Sequence, residues 1–191
     1  MIRRLSIAII TLLSFFGCKV VEEESGGDVF TASTFRIYES DIQGWSFESP
    51  DWEWAEFLAK TSGTTKGMDE LVDGDAPVFV DAGLINGAAQ RLINSNSEKN
   101  EIWIMTYPTK DAASKAFNTY VASDKFTKSP DAIAGASKSI ALLDNESTEG
   151  CAWIAVFGEV LILSYHTNYG NDAKSVIDAA NLYNVFKKKQ N

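Results

Sequence analysis

Three tryptophans lie close together in the sequence, and their type and spacing suit ligand binding. They are Trp45, Trp52 and Trp54, and five acidic residues lie among or beside them: Asp41, Glu48, Asp51, Glu53 and Glu56. Tryptophan rings beside carboxylates provide a flat apolar surface and a negative field, which suit sugar rings or a cationic ligand. The three tryptophans are therefore candidate ligand-binding residues. The alternative is that they belong to the apolar core.

The single histidine of the chain lies two residues after a serine, in the sequence Ser164-Tyr165-His166. Alternate residues of a strand share a face, which would place the hydroxyl and the imidazole together as a nucleophile and its base. An isolated pair of this kind is more typical of polar residues at the edge of a sheet. Cys151 opens an apolar stretch, where a cysteine behaves as a small hydrophobic residue. The sequence therefore predicts no catalytic site and no enzymatic activity.

Motifs for cofactors and metals are missing from the sequence. It contains neither a phosphate-binding glycine loop nor the paired cysteines or His-Glu-x-x-His of zinc sites. The acidic residues between Asp69 and Asp75 do not follow the alternate spacing of a calcium loop. We therefore expect no cofactor and no metal.

The charge of the chain is strongly negative, with 17 basic and 26 acidic residues and a formal net charge of −9. Two of the basic residues, Arg3 and Arg4, belong to the N-terminal segment described next. Without them, 15 basic residues face 26 acidic ones, a net charge of −11. Because a phosphate backbone would be repelled by such a surface, we expect no nucleic-acid partner.

The first 17 residues have the composition of an export signal. Arg3 and Arg4 are followed by the apolar run Leu5–Phe16, and Gly17 and Cys18 end it. A basic start, an apolar run of about 7–15 residues and a small residue before the cleavage point are what secretory export requires. The run is shorter than the ~20 apolar residues that span a bilayer. The sequence therefore predicts a signal segment over residues 1–17.

The end of this segment, Phe15-Phe16-Gly17-Cys18, resembles the lipobox of bacterial lipoproteins. The resemblance implies lipid attachment at Cys18, which would become the mature N-terminus. In that family an aspartate after the cysteine often signals retention at the inner membrane, so Lys19 implies the outer membrane. The alternative is an ordinary signal peptide and a soluble secreted protein. With the lipid on Cys18, residues 18–27 would form the anchor cysteine and a flexible acidic tether, and residues 28–191 would form a single domain.

Apolar periodicity within the domain predicts strands and helices. The predicted strands are Phe35–Tyr38, Trp45–Phe47, Glu101–Tyr107, Ser139–Leu143, Cys151–Phe157 and Val160–Tyr165. The predicted helices cover Pro50 to Leu58, Asp81 to Asn94, Lys110 to Ser123 and the stretch from Asn171 and Asp172 onwards. Gly158-Glu159 predicts a two-residue type II′ turn that joins the last two strands. The hexapeptide Leu84-Ile85-Asn86-Gly87-Ala88-Ala89 also resembles a segment of some uncharacterised bacterial secreted domains, a likeness that implies no activity.

This order of elements predicts an α+β fold, a largely antiparallel sheet with helices packed mainly on one face. Two other architectures remain open, a duplicated ferredoxin-like arrangement and a more curved sheet that grips a helix. The functional hypothesis is a lipid-anchored cell-envelope protein with a non-enzymatic role, binding another protein or supporting an assembly at the membrane surface. The alternative hypothesis is a binding module for a glycan or small ligand, using Trp45, Trp52 and Trp54.

Overall fold

The computed structural model describes residues 31–72, 74–123, 126–130, 136–144, 150–167 and 172–189. The predicted signal segment, Cys18 and the tether lie outside these residues. The strands are β1 Trp45–Phe47, β2 Ala55–Leu58, β3 Asn86–Asn94, β4 Lys99–Thr106, β5 Phe126–Pro130, β6 Lys138–Asp144, β7 Gly150–Phe157 and β8 Val160–Thr167. The helices are α1 Met68–Leu71, α2 Ala76–Val80, α3 Lys110–Val121 and α4 Asp172–Lys188.

All eight strands join one antiparallel sheet in the order β1-β3-β4-β8-β7-β6-β5, and β2 also pairs with β3. β1 and β2 lie along the same side of β3, where β1 pairs with its C-terminal end and β2 with its N-terminal end. Among the described residues, β2 therefore forms part of an outer edge of the sheet.

The centre of the sheet follows the prediction. β4, β7 and β8 are rich in β-branched and aromatic residues, and both of their faces are apolar, as expected for strands covered on both sides. The hairpin of β7 and β8 turns at Gly158, whose φ of 55° fits the first central position of the predicted type II′ turn. The two-residue turn fixes the register, in which Phe157 faces Val160.

Alternate residues of the central strands enter two separate cores. One core contains Trp103, Met105, Ile154 and Val156, and it is covered by α1, α2 and α3. The other contains Ile102, Ile104, Trp153, Ala155 and Ile162, and it is covered by α4 and by the segment around Phe35 and Ile37. We call these the α3 face and the α4 face. The predicted α+β class is confirmed, with α4 as the helix that covers the opposite face of the sheet.

α3 begins as predicted. The side chain of Thr109 accepts a hydrogen bond from the backbone N–H of Ala112 (3.1 Å), which caps the helix. Near the C-terminus, Lys187 and Lys188 lie in the last turn of α4, where cations are favoured by the helix dipole.

None of the helices in the described ranges has both the length and the apolar content needed to cross a membrane.

Two predicted helices and one predicted strand are wrong. The stretch from Asp81 to Asn94 forms the turn that follows α2 and then β3, and the stretch from Pro50 forms one 3-10 turn, Pro50–Trp52, followed by β2. In the predicted strand Phe35–Tyr38, Phe35 instead ends a 3-10 turn, Ala32–Phe35, and Tyr38 immediately precedes another, Glu39–Asp41. In each case pairing or packing with a distant segment outweighs the local pattern.

Candidate binding site at the edge of the sheet

The backbone of β2 offers outward-facing hydrogen-bonding groups. The N–H of Ala59 donates to the carbonyl of Ile85 (3.2 Å), so by alternation Phe57 and Ala55 also face β3. Glu56 and Leu58 face away. The N–H of Leu58 donates to the carbonyl of Lys66 (3.0 Å). For Glu56, no partner from elsewhere in the described residues reaches the outward N–H or carbonyl, so within this part of the chain the edge is open at Glu56.

A tight loop beside Leu58 limits the open part of the edge. Ser62 and Thr65 exchange backbone hydrogen bonds of 3.1 and 3.2 Å, which closes the loop. The N–H of Gly67 donates to Oγ1 of Thr61 (2.9 Å), and a Cβ at Gly67 would overlap the backbone of Thr61. This packing holds Thr65 and Lys66 next to β2, so they border the space outside Glu56.

The first cavity, of about 250 Å³, lies on the α4 face of β2 and is named here the Trp54 cavity. Ala88 of β3 is buried and belongs to its lining, while Glu56 and Asn86 are exposed. The lining residues are Ala32, Trp54, Glu56, Phe57, Leu58, Thr65, Asn86, Gly87 and Ala88. An aromatic ring, a carboxylate, an amide and a hydroxyl therefore border one shallow space.

The second cavity, of about 340 Å³, is named the Trp52 cavity. Its lining residues are Asp51, Trp52, Ala55, Glu56, Lys66 and Leu71. Trp52, Ala55 and Leu71 pack against the core of the α3 face. The two cavities thus lie on opposite faces of β2 and share Glu56.

The structure does not bring the three predicted tryptophans together on one surface. Trp45 and Trp54 pack against the core of the α4 face, and Trp52 packs against the core of the α3 face. The ring of Trp45 lies edge-on to the imidazole of His166, with 5.5 Å between ring centres, and Trp45 lines neither cavity. Trp52 and Trp54 therefore border separate spaces instead of forming one platform.

Two arginines occupy the faces of these rings. The guanidinium carbon of Arg91 lies 3.6 Å from the ring centre of Trp52, and that of Arg36 lies 5.2 Å from the ring centre of Trp54. Each arginine is also paired with a carboxylate, Arg91 with Glu101 (2.9 Å) and Arg36 with Glu53 (2.8 Å). A cationic ligand on the same face of either ring would have to displace the arginine that lies there. The geometry thus favours ligands that use the cavities over a cation stacked on either ring.

A buried glutamine, which the sequence reasoning missed, positions Trp54. The side chain of Gln90 accepts a hydrogen bond from the N–H of Ile37 (2.9 Å) and donates to the carbonyls of Ile37 (2.9 Å) and Glu53 (2.8 Å). These bonds attach the segment before β1 and the residue before Trp54 to β3. A glutamine between the apolar pairs Ala88-Ala89 and Leu92-Ile93, next to Arg91, is the signal that could have identified it. Asn86, Thr65 and Lys66 carry no comparable signal.

Ser164 and His166 lie on one face of β8 as the alternation predicts, but both are buried. Ser164 is 1% exposed and His166 0%. Asn100 lies beside both side chains. Its Nδ2 lies 2.6 Å from Nδ1 of His166, and the Ser164 hydroxyl donates to its Oδ1 (3.4 Å). Since the amide binds both groups and no solvent reaches them, the arrangement serves the packing of the α4 face. The side chain of Cys151 lies outside the described residues.

In the described ranges no three histidine, cysteine, aspartate or glutamate side chains are grouped closely enough to hold a metal ion.

No family model matches the sequence, and no curated protein matches it. Among solved structures, the extracellular domain of PknH from Mycobacterium tuberculosis is similar. The match covers 85% of this chain and 100% of that chain at 10% identity, with a TM-score of 0.48. A likeness at this level carries no argument about function.

Proposed function

We propose that this chain is a lipid-anchored cell-envelope protein whose domain binds another protein at the membrane surface and performs no catalysis. The observation that carries the proposal is the contrast between the accessible groups around Glu56 of β2 and the burial of the Ser164 and His166 side chains. Polar groups that a partner could contact are exposed around Glu56, whereas the Ser164 and His166 side chains, which would supply a nucleophile and its base, are buried.

The sequence supports the anchor. Arg3, Arg4 and the apolar run that follows have the pattern of an export signal, and Gly17-Cys18 has the pattern of a lipid-attachment site. Two or more acyl chains on Cys18 would hold the protein stably in a bilayer, which a single chain does not do. The tether over residues 18–27 is short, so the domain would stay close to the membrane. Lys19 favours the outer membrane.

The Trp54 cavity supports a second candidate function, the binding of a neutral glycan or small ligand. Trp54 would supply an apolar surface, and Glu56, Asn86 and Thr65 would supply acceptors and donors for hydroxyl groups. Quenching of tryptophan fluorescence by a neutral saccharide, absent in Trp54→Ala and kept in Trp52→Ala, would favour this function over protein binding.

Two measurements on intact cells test the leading proposal. The first is incorporation of a labelled fatty acid into the native chain and into Cys18→Ala. Label on the native chain alone is the expected result, and equal labelling of both chains would contradict the anchor. The second is chemical cross-linking, followed by identification of the adducts. A defined envelope protein that is cross-linked to the native chain and lost with Cys18→Ala is expected. No specific adduct from either chain would contradict protein binding.

A further inference from the structure

We propose that the protein partner binds as an extended, basic segment that adds a strand to β2 at Glu56. This inference rests on the proposed protein-binding function and names its site and the chemistry of the partner. It is carried by the open backbone of Glu56, by the two cavities on opposite faces of β2, and by the carboxylates that border them.

The backbone of Glu56 provides the pairing groups. A segment beside an edge strand gains affinity from main-chain hydrogen bonds, as in other complexes formed by strand addition. Lys66 already occupies the edge at Leu58. Within the described part of the chain, a partner strand would therefore extend from Glu56 toward Trp54 and not past Leu58, so the recognised segment would be short.

The cavities provide places for the partner's side chains. Successive side chains of an extended segment point to opposite faces. A segment paired with Glu56 would direct one side chain toward the Trp54 cavity and the next toward the Trp52 cavity. Ala88 and Leu58 border the first space, and Ala55 and Leu71 border the second, so each offers apolar contact. A ligand with a single ring would occupy only one of the two cavities, whereas alternate side chains of an added strand would occupy both.

The charges around Glu56 favour lysine or arginine in the partner. The carboxylates of Asp51 and Glu56 are exposed and border the cavities, and among the described residues that line them Lys66 is the single basic one. The arginines nearby are paired with carboxylates of their own. With a formal net charge of −9 for the whole chain, the field at this edge attracts a basic segment and repels an acidic one.

Two substitutions of Glu56 separate backbone pairing from charge. Glu56→Pro removes the outward N–H without breaking the β2–β3 ladder, since proline is tolerated where the N–H faces away from the sheet. Glu56→Gln keeps the N–H and removes the charge. Circular dichroism and the midpoint of thermal unfolding show whether each variant folds. Should Glu56→Pro fail to fold, Glu56→Gln alone tests the proposal, because the proposal requires a charge effect.

The probes for the full-length chain in detergent micelles are two short fluorescent peptides. In one, lysine alternates with threonine and valine, and in the other glutamate replaces lysine. We expect the basic peptide to bind at least about tenfold more tightly than the acidic one, with Glu56→Gln reducing this preference and Glu56→Pro reducing binding about tenfold. Equal binding of both peptides, or binding unchanged by both substitutions, would overturn the proposal. So would fluorescence quenching by neutral saccharides with no response to either peptide.

A photo-cross-linking amino acid in place of Glu56, compared with one in place of the exposed Lys110, tests the site in cells. An adduct at position 56 alone, mapped to an extended segment rich in lysine or arginine, is the expected result. A partner captured by the general cross-linker with no adduct at position 56 would leave protein binding in place and overturn this inference. An adduct mapped to an acidic segment would also overturn it.

Discussion

The Arg91 guanidinium lies over the Trp52 ring, 3.6 Å from the ring centre, while its Nε lies 2.9 Å from Oε1 of Glu101. Arg91 and Glu101 face each other in the β3–β4 register, on the α3 face of the sheet. The arginine thus links the 3-10 turn that carries Trp52 to the two strands beneath it. This contact holds one wall of the Trp52 cavity in place.

Replacement of Arg91 by alanine is expected to loosen Trp52. The ring would lose its cation–π partner, and Glu101 would lose its ion pair, so we expect a loss of about 1 kcal/mol in unfolding free energy. Chemical denaturation measures the loss, and acrylamide quenching of tryptophan fluorescence reports the greater exposure. Arg91→Lys keeps the charge without the planar stacking group and should fall between the parent and Arg91→Ala. Unchanged quenching in Arg91→Ala would contradict the contact.

Asp41 should make stability depend on acidic pH. Burial alone would raise the pKa of Asp41, but hydrogen bonds from Lys189 and from the Tyr38 N–H, with the charge of Lys189, lower the pKa below its ordinary value. Because the pKa of Asp41 is lower in the folded state than in the unfolded state, the ionised carboxylate stabilises the fold. This contribution to stability is fully present above the pKa of the unfolded state, and it is lost as the pH falls through the pKa of the folded state.

Asp41→Asn is therefore expected to reduce stability at pH 7 and to have less effect below about pH 4. Because both side chains are partly exposed, the loss should be about 1 kcal/mol or less. Denaturation at several pH values measures it. Lys189→Met supplies the control, since Asp41→Asn should change stability less in that background. An effect of Asp41→Asn that is the same with and without Lys189 would exclude the pair as its cause.

Gly87 is expected to tolerate no larger residue. A Cβ at this position would overlap the carbonyl oxygen of Ile104 and the ring of Phe57. Gly87→Ala should therefore destabilise the domain by about 1–3 kcal/mol through overpacking, measured as a lower unfolding midpoint. Gly44→Ala is the contrast, because that site has open space and a φ of 83°, so only backbone strain of about 1–2 kcal/mol is expected. Because Phe57→Leu shortens the ring but leaves the Ile104 carbonyl in place, the loss caused by Gly87→Ala should be smaller in the Phe57→Leu background but not absent. A loss from Gly87→Ala no larger than that from Gly44→Ala would contradict the overlap.

The strands that the sequence predicts well are those whose composition favours a strand over a helix. Val160–Thr167 and Gly150–Phe157 are rich in β-branched and aromatic residues and are joined by a turn with its own signature. β3 was mistaken for a helix because both of its faces are buried. Its apolar residues do not alternate with polar ones, and its alanines fit a helical stripe equally well. The segment forms a strand because Gly87 pairs with Phe57 of β2 on one side and Met105 of β4 on the other. These partners are distant in the sequence, so a local pattern does not reveal them.

The role of Trp45, Trp52 and Trp54 as ligand-binding residues stays a prediction. Trp54 lines one cavity, Trp52 lines the other, and Trp45 lines neither, while Glu56, one of the acids beside them in sequence, lines both. Their division between the two faces depends on how the chain turns after Trp52 and enters the sheet as β2. Arg91 and Arg36 come to the rings from other segments, so no local pattern could indicate that the rings already hold cations.

The hydrogen bond of Asn100 with His166 predicts both a stability effect and a tautomer. If the amide nitrogen of Asn100 is the donor, Nδ1 of His166 accepts and a neutral ring carries its proton on Nε2. Nitrogen NMR of the single histidine should show a protonated Nε2 and an unprotonated Nδ1.

Asn100→Ala removes the side chain that lies between two buried polar groups, so we expect a loss of about 1–3 kcal/mol in unfolding free energy. Ser164→Ala is the matched control on the same face, and its longer bond of 3.4 Å predicts a loss below about 1 kcal/mol. Because all three side chains are buried, the losses should appear in the unfolding midpoint and leave peptide binding at Glu56 unchanged. A larger loss from Ser164→Ala than from Asn100→Ala, or a proton on Nδ1, would contradict this arrangement.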